Sequence, residues 1–264
     1  MTLYQIDAFT DQLFAGNPAA VALLDDWPDA DRMQHVAAEM NLAETAFLVP
    51  HGGDAFGLRW FTPETEVDLC GHATLAAAHF LWNEEHLPLD ETARFETKSG
   101  ALSARREDDL IWMDFPAEPV RETPPLDDLT DALGTAPLFV GRNRMDVLAL
   151  LPDEAAVRDL SPDLAQLGGI EARGVIVTAQ ADDEAAGYDF VSRFFAPSAG
   201  VPEDPVTGSA HCALAPFWTD LLGRHELTGR QVSRRGGTVR VRAEDDRVHL
   251  GGRAVAVMRA ELLV

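Results

Sequence analysis

The chain has 264 residues, with 44 acidic against 21 basic side chains and a formal net charge of −23. This length fits one large domain or two of about 130 residues, and the 46% hydrophobic content excludes disorder as the overall state. Such a surplus of negative charge repels phosphate groups, which argues against nucleic acid or an anionic membrane surface as the main partner.

The opening segment lacks the basic flank and apolar core of a signal peptide, and no apolar run approaches the roughly 18 residues of a membrane span. Two cysteines, Cys70 and Cys212, are too few for a disulfide framework, so both are interpreted as thiols. The sequence therefore predicts a cytoplasmic protein without a membrane anchor.

Hydrophobic periodicity and turn residues predict the elements of the N-terminal half. The predicted strands, in chain order, are residues 3–9, 44–49, 56–62, 94–98, 101–105 and 110–115, and the predicted helices are residues 29–41 and 72–82. Gly16-Asn17-Pro18 predicts a turn between the first strand and an apolar run at 20–24. The second helix is apolar on nearly every side, which is typical of a helix that is buried on all faces.

A proline-rich segment at 116–125 predicts a linker, and the same order of elements then recurs. Strands are predicted at 173–178 and 189–195, a second apolar helix at 210–222, and two or three closing hairpin strands that end with 254–264.

Short motifs recur along with the elements. L-R-W-F-T-P at 58–63 is similar to S-R-F-F-A-P at 192–197, and D-L-C-G-H-A at 68–73 to P-V-T-G-S-A at 205–210. The shared arginines lie 134 residues apart and the shared glycines 137. The sequence therefore predicts two copies of one domain, each a set of mainly antiparallel strands around one buried helix.

In both halves a strand leads through a polar loop and a glycine into the buried helix. Glycine lets a ligand approach the backbone there, and the N–H groups of a helix start bind an anion such as a carboxylate. Two such helix starts would face one another across a cleft between the halves. The ionisable or hydroxyl groups near them are Glu44, Asp68, Cys70, His72, Glu203, Asp204, Ser209, His211 and Cys212. Each one alone has an ordinary structural explanation, such as a loop carboxylate for Glu44, a helix cap for His72 and a turn for Asp204.

Four segments match one known pattern in order through most of the chain. They are F-A-G-N-P-A-A-V at 14–21, N-L-A-E-T-A-F at 41–47, L-R-W-F-T-P-E-T-E-V-D-L-C-G-H-A-T at 58–74 and G-V-P-E-D-P-V-T-G-S-A-H at 200–211. Together they resemble the PhzF-like isomerases of phenazine biosynthesis. The resemblance implies an α+β fold like that of diaminopimelate epimerase, with two pseudo-symmetric halves, each a rolled sheet around a central helix. The first half would span 1–117 together with about 254–264, and the second 118–253.

The resemblance also implies an activity: a metal-free and cofactor-free isomerase that moves a proton on a small carboxylic acid in the cleft, as a homodimer. The catalytic glutamate of the family falls on Glu44, and its histidine, aspartate and serine fall on His72, Asp204 and Ser209. Substrate-binding positions are then expected at the helix starts, at Gly71, Ala73, Gly208 and Ala210. The C-G-H-A-T motif looks more like a broad branch of the family than the dedicated phenazine enzymes, so a phenazine precursor is not the expected substrate.

Three alternatives were weighed against this hypothesis. Racemases of this fold use two opposed thiols, one before each glycine, whereas Cys70 and Thr207 stand there in this chain, so a thiol-dependent epimerase is the weaker hypothesis. A small-acid-binding protein without turnover is another. Zinc at Cys70, His72, His211 and Cys212 is disfavoured, because neighbours on a helix point about 100° apart and converge poorly.

The acidic residues far outnumber those that the site could use, and Lys98 is the only lysine. They cluster at 25–26, 108–109, 127–128, 182–184 and 244–246, which predicts an acidic surface adapted to high salt. Salt at 1 M shortens the Debye length to about 3 Å and weakens the repulsion between like charges. We therefore expect the Tm, followed by circular dichroism, to rise between low and molar KCl. A Tm that stays constant or falls would contradict the hypothesis.

Overall fold

The computed structural model describes residues 1–263, apart from the side chains of Asp127 and Glu184. The chain divides into two compact units, Met1–Asp114 with Gly251–Val264, and Phe115–Leu250. Within residues 1–263, none of the helices combines the length and the apolar character that a membrane crossing requires.

The first unit begins with a strand and ends with the last strand of the chain. Its elements are β1 (Thr2–Ala8), β2 (Asn17–Leu23), α1 (Ala30–Met40), β3 (Glu44–Pro50), β4 (Ala55–Phe61), β5 (Glu66–Val67), α2 (Gly71–Asn83), β6 (Ala93–Thr97), β7 (Gly100–Glu107), β8 (Leu110–Pro116) and β18 (Ala254–Glu261). In the sheet, β2 runs parallel to β3 and β4 parallel to β6, while β3–β4, β4–β5 and β6–β7 are antiparallel.

Helix α2 lies at the centre of this unit. It packs against β1, β2, β3, β7 and β18, and ten of its side chains are buried. Its alanine-rich sequence has no bulky polar face, so strands approach it from several directions. Helix α1, in contrast, buries only Met33, Val36 and Ala37 and presents the rest of its surface to solvent.

The second unit contains the remaining elements. They are β9 (Arg121–Glu122), α3 (Asp127–Leu133), β10 (Phe139–Arg142), β11 (Asp146–Leu150), α4 (Glu154–Arg158), α5 (Leu164–Leu167), β12 (Gly174–Gln180), β13 (Phe190–Ala196), β14 (Val201–Asp204), α6 (Gly208–Leu222), β15 (Glu226–Gln231), β16 (Gly237–Glu244) and β17 (Arg247–Gly252). Short 3₁₀ turns lie at Glu184–Ala186 and Pro197–Ala199.

The strand pairing of the second unit repeats that of the first. Strand β11 runs parallel to β12 and β13 parallel to β15, while β12–β13, β13–β14 and β15–β16 are antiparallel. Helix α6 packs on β15 and β16 and is buried along most of its length, as α2 is in the first unit. The predicted α+β fold, with one arrangement of strands and a buried helix built twice, is confirmed.

The recurring arginine has the same role in both units. Arg59 on β4 binds Glu66 through two hydrogen bonds, of 2.7 and 2.9 Å, and Arg193 on β13 binds Glu203 through bonds of 2.7 and 3.0 Å. Each pair ties a long strand to the short strand that leads towards the buried helix. Glu203, one of the groups singled out near the helix starts, is therefore held in an ion pair with Arg193.

The chain passes from the first unit to the second between Asp114 and Phe115, just before the predicted linker at 116–125, but that segment is itself part of the second unit. Residues 121–122 form β9, which pairs with β10, and the backbone N–H groups of Ala117 and Glu118 donate to Asp246 and Cys212. The prolines fix extended backbone that the rest of the second unit uses for hydrogen bonding. Five short elements have too little hydrophobic periodicity to be predicted from the sequence: α3, β10, β11, α4 and α5.

Candidate functional site

The start of helix α2 has backbone N–H groups that no helical bond uses. Cys70 is the N-cap residue, and the first helical bond runs from the Thr74 N–H to the Cys70 carbonyl, at 3.1 Å. The N–H groups of Gly71, His72 and Ala73 precede that bond. They carry the partial positive charge of the helix N-terminus, which favours a negative group nearby.

Glu44 and His72 meet at this helix start. Glu44 is the first residue of β3, and α2 packs on β2 and β3. The distance from His72 Nε2 to Glu44 Oε2 is 3.0 Å, with 8% of the histidine side chain exposed and 18% of the glutamate. The glutamate side chain is thus partly exposed, whereas the two atoms of this contact, Glu44 Oε2 and His72 Nε2, are both buried.

Two further side chains approach the other ring nitrogen of His72. The Asn17 amide nitrogen lies 3.3 Å from His72 Nδ1, and the Cys70 Sγ lies 3.5 Å from the same atom. Both side chains are buried, and Asn17 is 0% exposed. The site in the first unit thus consists of Glu44, His72, Asn17 and Cys70.

Burial shifts the pKa values of Cys70 and His72, the two titrating neighbours of Glu44, in opposite directions. Burial, together with the negative charge of Glu44, raises the pKa of the Cys70 thiol, which keeps it protonated at neutral pH. For His72, burial alone would lower the pKa, but interactions with Cys70 and Glu44 raise it well above its usual value. Since Cys70 stays a thiol, we attribute the raised pKa of His72 to Glu44.

Glu44, Cys70 and His72 also offer three atoms of the types that bind metal ions, all within 4.8 Å of one another. The imidazole, however, lies between the other two groups: Nε2 faces the carboxylate and Nδ1 faces the thiol. One ion cannot bind both ring nitrogens of the same imidazole, so this arrangement does not fit a metal held by all three side chains.

The start of helix α6 in the second unit carries Asp204, Ser209 and the predicted binding positions Gly208 and Ala210. Thr207 is the N-cap residue, and its hydroxyl donates to Asp204 Oδ2. Ser209 is half-buried in the first turn, and Gly208 and Ala210 are buried. Asp204 thus lies at the helix start, held by the residue that precedes the glycine.

Gln231, a residue that no sequence motif marks, binds this loop. Its side chain is 0% exposed at the end of β15. It accepts a hydrogen bond from the Thr207 backbone N–H, at 2.9 Å, and donates one to the Asp204 carbonyl, at 2.8 Å. A neutral amide in a strand gives no sequence signal of this role.

Replacing Gln231 with leucine is expected to lower the free energy of unfolding by about 2 to 4 kcal/mol, because a buried N–H and a buried carbonyl lose their partners. Urea denaturation measures the change. Gln34→Leu is the matched control: Gln34 is only half-buried and donates one bond, at 2.9 Å, to the Thr62 carbonyl. A loss for Gln231→Leu no greater than that of the control would contradict the assigned role.

His211, one turn into α6, is buried, and its Nδ1–H donates to the Thr207 carbonyl at 2.8 Å. Burial lowers its pKa to about 4. The unfolded chain, in which histidine titrates near 6.5, therefore binds a proton before the folded one does as the pH falls. We expect this histidine to remove about 3 kcal/mol of stability between pH 6.5 and 4.

Denaturation of His211→Gln across that pH range should show a shallower loss of stability than the unchanged chain. His51→Gln, at an exposed loop position, is the control and should retain the full slope. Equal slopes for His211→Gln and the unchanged chain would show that His211 is not the group that titrates.

Comparisons with known proteins identify the family of the chain. The family model of phenazine biosynthesis-like proteins, PhzC-PhzF, matches residues 6–260. An "uncharacterized isomerase" of Halalkalibacterium halodurans is 50% identical over 263 residues, which are 99% of this chain and 98% of that protein. A crystal structure of a PhzF-family phenazine biosynthesis protein from Enterococcus faecalis has a TM-score of 0.95 and 41% identity, and covers 100% of this chain and 99% of its own.

A more distant likeness concerns the fold alone. A probable proline racemase from Agrobacterium radiobacter has a TM-score of 0.66 at 12% identity, over 100% of this chain and 93% of its own. This agrees with the predicted diaminopimelate-epimerase-like fold. From the family match, the level of identity and the shared fold it follows that the chain belongs to the PhzC-PhzF family of phenazine biosynthesis-like proteins.

Proposed function

We propose that this isomerase moves a proton between two positions of a small carboxylic acid, with Glu44 as the group that removes the proton from carbon and returns it. The observation that carries the proposal is the Glu44–His72 contact of 3.0 Å at the start of a buried helix. A glutamate side chain that is 18% exposed thus lies beside a helix N-terminus. A general base must reach a C–H bond of the substrate, and the negative charge that then forms on the substrate must be stabilised.

The steps follow from the groups at this helix start. The Glu44 carboxylate takes a proton, and the substrate is left with negative charge spread over its own carboxylate or conjugated system. The N–H groups of Gly71 and Ala73 supply partial positive charge that stabilises this intermediate. Glu44, now a carboxylic acid, returns the proton to a second carbon. Hydrogen moves without a net change in electrons, so the proposed reaction needs no redox cofactor.

The residues at the start of α6, in the second unit, are also proposed to act on the substrate. Asp204 and Ser209 are proposed to orient the substrate or to relay protons, and Gly208 and Ala210 to bind it. The hydroxyl of Thr207 restricts the Asp204 carboxylate, which supports a fixed orientation for that group.

A thiol-dependent epimerase remains the second candidate, and the pKa of Cys70 weighs against it. A thiol acts as a base or nucleophile in its deprotonated form, whereas burial raises the pKa of Cys70. At the equivalent N-cap position of α6 stands Thr207, whose hydroxyl is a far weaker acid.

Deuterium exchange tests the proposal. The protein is incubated in D₂O with a panel of small carboxylic acids, including unsaturated, cyclic and amino-substituted ones, and label uptake at carbon is followed by NMR. Uptake that persists in Cys70→Ala supports glutamate catalysis, and uptake that depends on Cys70 supports the epimerase. Binding to panel members without any uptake would overturn the proposal in favour of a binding protein.

A further inference from the structure

We propose that Asn17 is a positioning residue, which holds His72 in the tautomer that carries its proton on Nε2, the ring nitrogen 3.0 Å from the Glu44 carboxylate. The inference rests on the proposed function in one respect: Glu44 is taken as the group that transfers the proton. The structure assigns the role to Asn17 through its place in the fold and the atoms that it presents.

Asn17 is held firmly. It is the first residue of β2, pairs with Ala8 of β1, and follows Gly16, whose φ is 65°. Its side chain is 0% exposed. A fully buried amide that is fixed by a strand on one side and a tight turn on the other has little freedom to move away from its neighbour.

The contact of Asn17 determines which histidine nitrogen carries the proton. The amide nitrogen, 3.3 Å from His72 Nδ1, is only a donor, so Nδ1 accepts its hydrogen bond when the ring is neutral. A neutral imidazole has one protonated nitrogen, which is then Nε2, 3.0 Å from Glu44 Oε2. In the opposite tautomer, a lone pair on Nε2 would face the negative carboxylate.

This arrangement has a consequence for Glu44. With the proton on Nε2, an N–H group and not a lone pair faces the Glu44 carboxylate at 3.0 Å, so Glu44 has an attractive neighbour when substrate arrives. The charged and titratable groups around His72 are Glu44 on β3 and Cys70 at the N-cap of α2, and Asn17 on β2 is the neutral partner. By donating to Nδ1, Asn17 also opposes full protonation of the ring, which Glu44 favours.

The test reads the tautomer directly, without substrate. Nitrogen-15 NMR of the full chain from pH 6 to 10, with His72 among eight histidines assigned by its loss in His72→Gln, distinguishes the two ring nitrogens. We expect the neutral form of His72 to carry its proton on Nε2. A neutral form with the proton on Nδ1, or a ring that stays doubly protonated throughout, would overturn the proposal.

Two variants test the part that Asn17 plays. Asn17→Asp keeps the size of the side chain but offers only acceptors, and should keep His72 doubly protonated to a pH at least one unit higher. It should also lower kcat for exchange at least tenfold, with little change in KM. Asn143→Asp is the matched control, because Asn143 is an amide that bonds loop backbone at Glu118, Met145 and Asp146, and it should leave the His72 spectrum unchanged.

The outcomes separate this inference from the proposed function. If the unchanged chain shows no exchange on any acid, the proposed function fails, while the tautomer and its response to Asn17→Asp still decide the role of Asn17. If exchange occurs but the His72 titration in Asn17→Asp equals that of the unchanged chain, the positioning role is overturned and the proposed function stands.

Discussion

Glu44→Gln is expected to lower the rate of deuterium exchange by about 10²- to 10⁴-fold, the range typical for the loss of a general acid–base group. Glutamine has nearly the same shape as glutamate, and its amide can still contact His72, but it cannot accept a proton from carbon. Substrate affinity should change much less than kcat. Initial rates of label uptake by NMR, with KM from the concentration dependence, provide the measurement.

Glu84→Gln is the control for this experiment. Glu84 lies directly after α2, at the opposite end from His72, about 18 Å away at 1.5 Å per residue. It is half-buried, as Glu44 is, and accepts a hydrogen bond from the Tyr4 hydroxyl at 2.6 Å. Its replacement should leave exchange within a factor of about two. If Glu44→Gln exchanged label as fast as Glu84→Gln, glutamate catalysis would be wrong.

Gly16→Ala is expected to lower the free energy of unfolding by about 3 kcal/mol or more. Two costs add at this glycine. Its φ of 65° is a left-handed conformation that disfavours a side chain, and an added Cβ would meet the Ala8 carbonyl oxygen and the Thr10 side chain. A backbone carbonyl in a paired strand cannot move aside. Urea denaturation measures the loss.

Gly52→Ala separates these two costs. Gly52 has a φ of 77°, and nothing lies within 4 Å of an added Cβ, so only the conformational cost of about 1 kcal/mol remains. If Gly16→Ala destabilised the chain no more than Gly52→Ala, the close approach to Ala8 would not matter. Because Gly16 precedes Asn17, the same substitution should also disturb His72, which its NMR signals would show.

The sequence predicted those parts of the fold where a pattern extends over many residues. The strand at 44–49 and the helix at 72–82 carry strong periodicity or a long apolar run, and they appear as β3 and α2. The recurring arginine motif predicted that the domain is built twice. Helix α6, however, begins at Gly208 and not at 210, because a glycine in the first turn carries a low helix propensity that conceals the true start.

In the first unit, the side chains of the site that the sequence marks are those that titrate. Glu44, Cys70 and His72 were singled out because carboxylates, thiols and imidazoles have recognisable chemistry, and the structure brings them together. Asn17 and Gln231 were missed. Their amides act through hydrogen bonds to atoms that are distant in the sequence, and the Gly-Asn-Pro motif was interpreted only as a turn. Such contacts depend on which strand lies beside which helix, and no local pattern encodes that.

The burial of most of α2 affects how freely the rest of the chain can change. A helix with ten of its 13 residues buried leaves few positions open to solvent, and Glu44 and His72 lie at its start. Substitutions over the outer faces of the strands and of α1 therefore leave the reacting groups where they are. The surface of the chain, which carries 44 acidic residues and a single lysine, can therefore vary in charge without displacing them.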